Sequence, residues 1–288
     1  MTLAASDGSR SPTSQSTKAL DAEVRDLARG LAVATERVAE LERQLSRLRE
    51  KVEGSGSRFA ALYADFADRF RGSAAEITAK LTGYLPDVQR VLSERGTESD
   101  RVRVLDIGSG RAEWLALLRD AGISAAGVDS HPAFVEAGRA SGLNLVEGDG
   151  IEHLQSVPSG SLDMITAFHL IEHLDVEALL ALIEAAHDAL RPGGCLLLET
   201  PNPTNLRMAA CDFYNDPTHR SPLPPALTEF LVSASGFGDV EVRPLHPAAS
   251  PLAGSDASAE LTDEVVRALY GPQDYAVLGY KVGAAKLA

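Results

Sequence analysis

Four side chains that can transfer protons or bind a metal follow one apolar stretch of the sequence. His169, Glu172 and His173 come directly after a predicted strand, and His219 lies in a later loop. If residue 169 begins a helical turn, the first three share a face, because residues three and four positions apart are neighbours on a helix. Two chemistries compete: His169 as a general base with a pKa near neutrality, or a divalent metal bound by all four side chains. In a third interpretation, Glu172 and His173 only cap and pack this loop.

A second set of residues follows three other predicted strands. The first strand ends in Asp106-Ile-Gly-Ser-Gly110, where the glycines let a ligand approach the backbone. Asp129 ends the second strand, where a carboxylate can accept both hydroxyls of a ribose. Asp149 follows the third strand, where it can accept an amino hydrogen of adenine. Either acid can instead cap a helix or a turn, but their position at consecutive strand ends predicts a nucleoside site.

Alternating strands and helices must hold these residues in place. Strands are predicted at residues 102–107, 125–128, 143–147, 163–168, 195–199, 239–243 and 275–282. Helices are predicted between them at residues 113–121, 132–141, 176–190, 225–234 and 262–270. This alternation predicts an α/β fold with a parallel sheet and helices on both of its faces. The last strand comes late enough to insert as a hairpin partner of residues 239–243.

The residues before the first strand predict three further segments. Residues 1–18 are rich in Ser, Thr, Ala and Gly and are expected to form a disordered tail. Across residues 19–53 apolar side chains recur at spacings of three and four, which predicts a coiled coil. We expect it to join copies of the chain into a homo-oligomer; the alternative is a lone helix folded back on the main domain. Residues 58–96 are predicted to form a helical cap, and residues 97–288 the domain that carries the chemistry.

Charge and cysteine content disfavour several classes of function. The 288 residues carry a formal net charge of −14, and so acidic a chain is repelled by nucleic acids and anionic membranes. No apolar run approaches the length that crosses a bilayer, so we expect neither a nucleic-acid partner nor membrane insertion. The two cysteines, Cys195 and Cys211, cannot make a disulfide framework. We therefore expect reduced thiols and a cytoplasmic location.

Four motifs together resemble one enzyme family. They are Val104-Leu-Asp-Ile-Gly-Ser-Gly-Arg-Ala-Glu-Trp114, Gly127-Val-Asp129, Gly148-Asp149 and Leu190-Arg-Pro-Gly-Gly194. Their order and spacing make residues 58–283 similar to the class I S-adenosylmethionine-dependent methyltransferases. The resemblance implies a Rossmann-like sheet of seven strands that ends in an antiparallel hairpin, with S-adenosylmethionine as the cofactor.

The resemblance also assigns roles to residues. The glycine loop matches the segment that contacts the methionine part of the cofactor, Asp129 the acid that binds ribose, and Asp149 the acid that binds adenine. Arg71 can face the cofactor carboxylate or an anionic acceptor; the alternative is an ion pair on a helix surface. The expected cofactor site therefore consists of Arg71, Asp106, Gly108, Gly110, Asp129, Ser130, Asp149, Gly150 and Phe168.

Other phrases are similar to a branch of this family found with bacterial polysaccharide and glycoside biosynthesis. They are Arg69-Phe-Arg-Gly-Ser73, Phe168-His-Leu-Ile-Glu-His-Leu174, Glu199-Thr-Pro-Asn-Pro-Thr-Asn205 and Phe213-Tyr-Asn-Asp-Pro-Thr-His219. Members with known roles methylate sugar hydroxyls or terminal groups on a glycan, which implies a glycan or a glycosylated small molecule as acceptor. Asn202 and Asn205 are then candidate sugar contacts and Tyr214 a stacking surface, although both asparagines also suit ordinary turns.

Together these patterns predict an O-methyltransferase that uses His169 as base, a divalent metal such as Mg²⁺, or both. Small-RNA 2′-O-methyltransferases and ubiquinone-pathway O-methyltransferases have a similar cluster of acid and histidine after strand four. One rival hypothesis keeps the fold but methylates a nitrogen or carbon acceptor of secondary metabolism. Another is a coiled-coil scaffold whose domain only senses the cofactor; the intact Gly108, Gly110 and Asp129 argue against it.

Overall fold

The computed structural model describes residues 69–93, 103–250 and 259–283, with the single positions 37 and 66. The chain divides into two units, Met1–Phe66 and Ala67–Ala288, and all elements below belong to the second. The predicted tail at residues 1–18 lies outside the described residues, as does the predicted coiled coil at residues 19–53 apart from Arg37. Self-association through that segment stays a prediction.

A single seven-stranded sheet organises the second unit. Its strands are β1 (Val104–Ile107), β2 (Ala125–Asp129), β3 (Leu145–Glu147), β4 (Leu162–Phe168), β5 (Leu190–Pro201), β6 (Phe237–Pro247) and β7 (Pro272–Lys281). They lie in the order β3-β2-β1-β4-β5-β7-β6. Strands β1 to β5 pair in parallel, and β7 runs antiparallel between β5 and β6. The predicted α/β fold, its seven strands and its final hairpin are confirmed.

The insertion of β7 places its first residues at the carboxyl ends of its two neighbours. Asp274 of β7 pairs with Pro201, the last residue of β5, and with Leu245 near the end of β6. The parallel strands also end at this edge, which is where ligands bind in open α/β sheets. Polar residues that follow different strands are therefore brought together along one edge.

Helices connect the strands. They are α1 (Ala74–Thr82), α2 (Leu85–Ser93), α3 (Glu113–Asp120), α4 (Pro132–Ala140), α5 (Gly150–Ser156), α6 (Val176–Ala189), α7 (Leu206–Ala210), α8 (Pro225–Ala234) and α9 (Ala259–Tyr270), with 3₁₀ turns at Ile171–His173 and Asp212–Asn215. Sequence analysis missed the short α5 and α7, because their caps Asp149 and Asn205 are residue types that suit turns equally well. Among the described residues, no helix combines the length and apolarity that a membrane span requires.

Successive strand residues point into two different cores, as the pleat requires. One face carries Leu105, Ile165, Leu196, Leu198 and Val277, which join buried residues of α6 and α8. The opposite face carries Val104, Met164, Cys195, Leu197 and Leu278, which join Leu81, Tyr84, Val88 and Val91 from α1, α2 and the turn between them. Helices therefore cover both faces of the sheet, as predicted.

The predicted helical cap at residues 58–96 is described at residues 66 and 69–93, which include α1 and α2. Helices α1 and α2 share a core with the sheet, and polar contacts fix them further. Asp87 of α2 pairs with Arg243 of β6 at 2.8 Å, and Arg191 of β5 donates to the carbonyl of Val91 at 2.7 Å. These helices bury one face of the sheet, and the domain boundary at residue 97 stays a prediction.

Candidate functional site

The loop after β1 is held by the acid that ends β2. Gly108 and Gly110 have φ angles of 72° and 52°, in the left-handed region that glycine adopts without steric cost. Oδ2 of Asp129 accepts the amide hydrogen of Gly110 at 2.7 Å, and Oδ1 accepts that of His131 at 2.7 Å. Each carboxylate oxygen keeps a further lone pair for a ligand. The structure thus brings the predicted glycine loop and the predicted ribose acid into direct contact.

The residues around the next strand end lie close by. Oδ1 of Asp149 accepts the amides of Ile151 and Glu152 at 2.8 and 2.9 Å and so caps α5. Its second oxygen is the atom left for a ligand. Gly150 begins α5 close to β1, where a Cβ on it would lie 2.5 Å from Ile107. Ser130 is exposed, directly after the acid that holds the glycine loop.

Two residues predicted for the cofactor site pack into the fold. Asp106 is buried and accepts a hydrogen bond from Thr166 of β4 at 2.7 Å, so it supports the loop. Its part in cofactor binding stays a prediction. Burial raises the pKa of Asp106 to about 7. Phe168 is half-buried against Trp114 and Tyr84, with ring centroids 5.4 Å apart in both pairs, and it contributes to the wall below the strand ends.

Arg71 reaches the same edge from the residues that precede α1. Its Nη2 donates to the backbone carbonyl of His169 at 3.3 Å. Its Nη1 lies close to Gly110, 3.3 Å from the position that a Cβ there would occupy. The guanidinium therefore lies between the glycine loop and the predicted catalytic histidine.

His169 is surrounded by carboxylates. Its backbone adopts φ 52°, and its amide donates to the carbonyl of Glu199 at 2.8 Å. Nδ1 lies 3.4 Å from Oε1 of Glu172, while Nε2 lies 3.4 Å from Oε1 of Glu199 and 3.9 Å from Oδ1 of Asp274. The side chain keeps 34% of its surface exposed, so a ligand at the strand ends can reach it.

These carboxylates set the protonation of His169. Burial disfavours the charged ring, but the contacts with Glu172 and Glu199 and the charge of Asp274 outweigh burial and raise the pKa of His169 to about 10. At neutral pH both ring nitrogens therefore carry hydrogen, and the ring has no lone pair to accept a proton. The expected pKa near neutrality is wrong, and the general-base hypothesis loses its main support.

The other predicted metal ligands form a group of their own. Glu172 is fully buried, and its Oε2 accepts a hydrogen bond from Thr200 at 2.9 Å. Its Oε1 lies 3.8 Å from Nε2 of His219, and the rings of His173 and His219 pack with centroids 4.7 Å apart. Across the residues that the structure describes, no donor forms a hydrogen bond with this Oε1, although Nδ1 of His169 approaches it.

The four predicted ligands are thereby divided between two clusters. One ligand atom from each of Glu172, His173 and His219 lies within 4.8 Å of the others. His169 belongs instead to a cluster with Glu199 and Asp274. The predicted four-residue metal site is therefore corrected to three residues.

Neighbouring groups fix which ring nitrogen of each histidine carries the hydrogen. Nδ1 of His219 lies 2.6 Å from the carbonyl of Phe213, which can only accept. Nδ1 of His173 lies 2.8 Å from the hydroxyl of Thr218, whose own hydrogen goes to Asp216 at 2.5 Å. Both rings therefore carry hydrogen on Nδ1, which leaves Nε2 as the lone-pair nitrogen of a neutral ring. Burial also lowers the pKa of His173, which favours its neutral form.

These residues form a group of possible metal ligands. Oε1 of Glu172 lies 3.8 Å from Nε2 of His219, and one ring nitrogen of His173 lies within 4.8 Å of the ligand atoms of both. One carboxylate and two imidazoles suit a transition-metal ion better than Mg²⁺, which prefers oxygen ligands. Hydrogen bonds from the far nitrogen of each ring are typical of metal-binding histidines. The residues present therefore fit a divalent metal.

The carboxylates around His169 connect the site to the N-terminal helices and to β6. Oε2 of Glu199 accepts a hydrogen bond from the hydroxyl of Tyr84. Oδ2 of Asp274 accepts from Nδ1 of His246 at 2.9 Å and lies 3.8 Å from Nζ of Lys80. Sequence analysis gave none of these residues a role in the site. Glu199 could have been found from its position near the end of a predicted strand. Asp274 could not, because its place in the site depends on the register of the hairpin.

The two asparagines predicted to bind sugar have structural roles instead. Asn202 accepts from the amide and hydroxyl of Thr204 at 3.1 and 2.8 Å and donates to Pro272 at 3.0 Å. Asn205 caps α7 through Oδ1 and donates to the carbonyl of Gly271 at 3.0 Å. Both are buried, so the turn alternative is the one that the structure supports. Tyr214 is 63% exposed and stays available for stacking.

Comparison with known proteins decides the family. Residues 41–242 match a family described as a methyltransferase domain. The chain belongs to this family. An S-adenosylmethionine-dependent methyltransferase of Archaeoglobus fulgidus is 33% identical, with a TM-score of 0.65 over 76% of this chain and 99% of that one. The protein is therefore an S-adenosylmethionine-dependent methyltransferase, as the resemblance implied.

Two further relatives were found. One has a lower sequence identity, and the other matches over a shorter stretch of the chain. Haemonchus contortus phosphoethanolamine N-methyltransferase 2, in complex with S-adenosyl-L-methionine, is 15% identical, with a TM-score of 0.50 over 77% of this chain and 60% of that one. That likeness concerns the fold alone. A ubiquinone biosynthesis O-methyltransferase of Xanthomonas campestris pv. campestris (strain B100) is 34% identical over 107 residues, which are 35% of this chain and 44% of the relative. The match thus spans less than half of that relative's length.

The raised pKa of Asp106 predicts a pH-dependent stability. Its folded-state pKa of about 7 exceeds the unfolded value of about 3.9, so folding retains a proton that the unfolded chain releases. This contribution to the free energy of unfolding is complete below about pH 4 and is lost as pH rises through 7. The free energy of unfolding of Asp106→Asn, relative to that of the wild type, should therefore rise by about 2–3 kcal/mol from about pH 5 to about pH 8. Urea unfolding at each pH measures it. Asp120→Asn, at an exposed carboxylate of α3, is the control, and equal pH profiles for Asp106→Asn and wild type would contradict the assignment.

Proposed function

We propose that this methyltransferase methylates a hydroxyl oxygen next to a divalent metal held by Glu172, His173 and His219. One observation carries the proposal: Oε1 of buried Glu172 has no hydrogen-bond donor among the described residues and faces Nε2 of His219. The position of His169 adds support, because its Nδ1 lies 3.4 Å from the same oxygen and so orients the carboxylate. The proposal therefore replaces the general-base role of His169 with a role in fixing the charge and position of Glu172.

The residues around the glycine loop suit the cofactor. When bound, S-adenosylmethionine supplies a methyl group activated by a sulfonium, which needs only alignment with the acceptor oxygen. We assign ribose binding to Asp129, the adenine side to Asp149, and the cofactor carboxylate to Arg71. Ser130 directly follows Asp129 and is exposed. Gly150 directly follows Asp149 and packs closely against Ile107.

The residues of the metal group have separate tasks in this proposal. When bound, a divalent metal would lower the pKa of the acceptor hydroxyl, so that water could take its proton, and would orient its oxygen. Thr200 holds one oxygen of Glu172. Thr218 and the carbonyl of Phe213 orient the two histidine rings. Burial alone would raise the pKa of Glu172, but His169 lowers it, which keeps the carboxylate ionised.

We propose a sugar hydroxyl of a glycan or a glycosylated small molecule as the acceptor. The motifs at residues 199–205 and 213–219 support this choice by their resemblance to the polysaccharide-associated branch, and exposed Tyr214 supplies a stacking surface. A second candidate is a hydroxylated ring of the kind that ubiquinone biosynthesis methylates, which the Xanthomonas relative's name suggests. Both acceptors require transfer to oxygen.

Cofactor binding should depend on Asp129. Asp129→Ala removes the proposed ribose acceptor and releases the amide of Gly110, so the affinity for S-adenosylhomocysteine should fall about 10- to 100-fold, the loss of one or two charged hydrogen bonds. Calorimetric titration measures it. Asp120→Ala, on an exposed carboxylate of the neighbouring helix, should bind like the wild type, and unchanged affinity in Asp129→Ala would remove the ribose assignment.

Metal binding should depend on Glu172 and on the group that orients His173. Calorimetric titration of Mn²⁺ or Zn²⁺ into metal-stripped protein should show one site, which Glu172→Gln abolishes. Thr218→Val should weaken it about 10- to 100-fold, because it removes the acceptor of the Nδ1 hydrogen. His153→Ala, a histidine of α5 outside the cluster, is the control. Absence of metal binding by the wild type would overturn the proposed metal role.

The acceptor is tested with the metal-loaded protein and labelled S-adenosylmethionine. Sugars with vicinal hydroxyls should accept the methyl group, with transfer to oxygen established by mass spectrometry of the product, and Glu172→Gln should lower kcat at least about 100-fold. Turnover of dihydroxylated aromatic rings alone would favour the ubiquinone-type acceptor. Turnover of amine or carbon acceptors alone would contradict O-methylation, and no turnover despite cofactor binding would favour the scaffold hypothesis.

A further inference from the structure

A short segment before α1 lies across both halves of the proposed site. We call residues 69–73, Arg69-Phe-Arg-Gly-Ser73, the strap. Arg71 of the strap contacts the carbonyl of His169 and lies beside Gly110. The strap thus touches the residue at the end of β4 and the glycine loop after β1.

The end of the strap is fixed by the start of α1. The side chain of Ser73 accepts the amide of Glu76 at 3.3 Å, and the Glu76 carboxylate accepts the amide of Ser73 at 2.9 Å. This capping box satisfies free amides at the helix start. Gly72 has φ 90°, a conformation that other residues rarely adopt, so the chain turns sharply between Arg71 and the cap.

Arg111 joins the strap to the glycine loop. Its Nη2 donates to the carbonyl of Gly72 at 3.0 Å, and its Nε lies 2.7 Å from Oε1 of Glu113. Arg111 directly follows Gly110, so the loop itself carries the donor that binds the strap. The Glu113 carboxylate, at the start of α3, holds the guanidinium in this orientation.

We infer that Arg111 is a positioning residue that latches the strap onto the glycine loop, so that Arg71 stays beside the cofactor carboxylate and slows cofactor release. The inference rests on the proposed cofactor site. The latch includes a charge-assisted hydrogen bond to the backbone carbonyl of Gly72. A contact of this kind can open and close without unfolding the core, because α1 is separately fixed by its cap and by Leu81 in the core.

The latch is expected to affect the dissociation rate of the cofactor. A general loss of stability would not change this rate alone. Release of the strap frees Arg71 from the loop, so the cofactor should dissociate faster, while its association rate should change little. Arg71 and Arg111 act through the same segment in this inference. Their substitutions should therefore not be additive, since opening the strap already removes the contribution of Arg71.

The test measures the dissociation rate of S-adenosylhomocysteine from the full chain by surface plasmon resonance. Arg111→Ala should raise the dissociation rate about tenfold or more, with an association rate within about twofold of the wild type, and Arg111→Lys should restore part of the loss. Arg71→Ala combined with Arg111→Ala should dissociate no faster than the faster single variant. Arg119→Ala is the matched control, because this arginine of α3 bonds Asp120 and the carbonyl of Ser141, away from the strap.

The outcomes separate the latch from the site on which it rests. Absence of binding by the wild type would overturn the proposed cofactor site, and the latch with it. Binding by the wild type with an unchanged dissociation rate in Arg111→Ala would overturn the latch alone. If Arg111→Ala does not fold, Glu113→Gln decides, because it leaves Arg111 in place without its carboxylate partner. Faster dissociation in Glu113→Gln supports the latch, and an unchanged rate overturns it.

Discussion

Strand β7 runs antiparallel between β5 and β6, and the composition of the site depends on this reversal. In a wholly parallel sheet, only the carboxyl ends of strands contribute to the ligand-binding edge. The reversed strand contributes its beginning instead, so Asp274 lies opposite the end of β5. Glu199 and Asp274 thereby meet beside Nε2 of His169, although they are far apart in the sequence. The charge around the histidine is a consequence of strand direction.

Electrostatic pairing then divides the site into two environments. His169 lies among three carboxylates and becomes a stable cation, whereas His173 and His219 have their Nδ1 hydrogens bound by oxygen acceptors. The three histidines close to Glu172 therefore differ in the groups that face their rings. Glu172 belongs to both environments, since one oxygen lies near His169 on one side and near His219 on the other. This shared carboxylate connects the methyl-transfer edge with the metal-binding group.

Sequence patterns predicted the fold and the cofactor loop because both depend on local signals. Apolar strands, glycine turns and acids at strand ends each occupy a few neighbouring residues, and the contact between Gly110 and Asp129 confirms their juxtaposition. The sequence could not show that His169 would lie in a different cluster from His173 and His219. The charge of His169 depends on Glu199 and Asp274, which only the fold brings beside it. The same limit applies to Asn202 and Asn205, whose amides bind backbone groups near the start of β7. Residue type and spacing show which groups can bind a ligand, but not which of them the fold already uses.

The packing of α1 and α2 has a consequence for the order in which the molecule assembles. These helices are synthesised before every strand. Some of their core partners, such as Trp114, follow soon after, but others come late in the chain. Tyr84 binds Glu199, Asp87 binds Arg243, and the shared core includes Leu278 of the last described strand. Contacts between residues so distant in sequence form slowly, since a long loop must close first. During synthesis on the ribosome, the apolar side of these helices is therefore not completely covered until β7 has emerged.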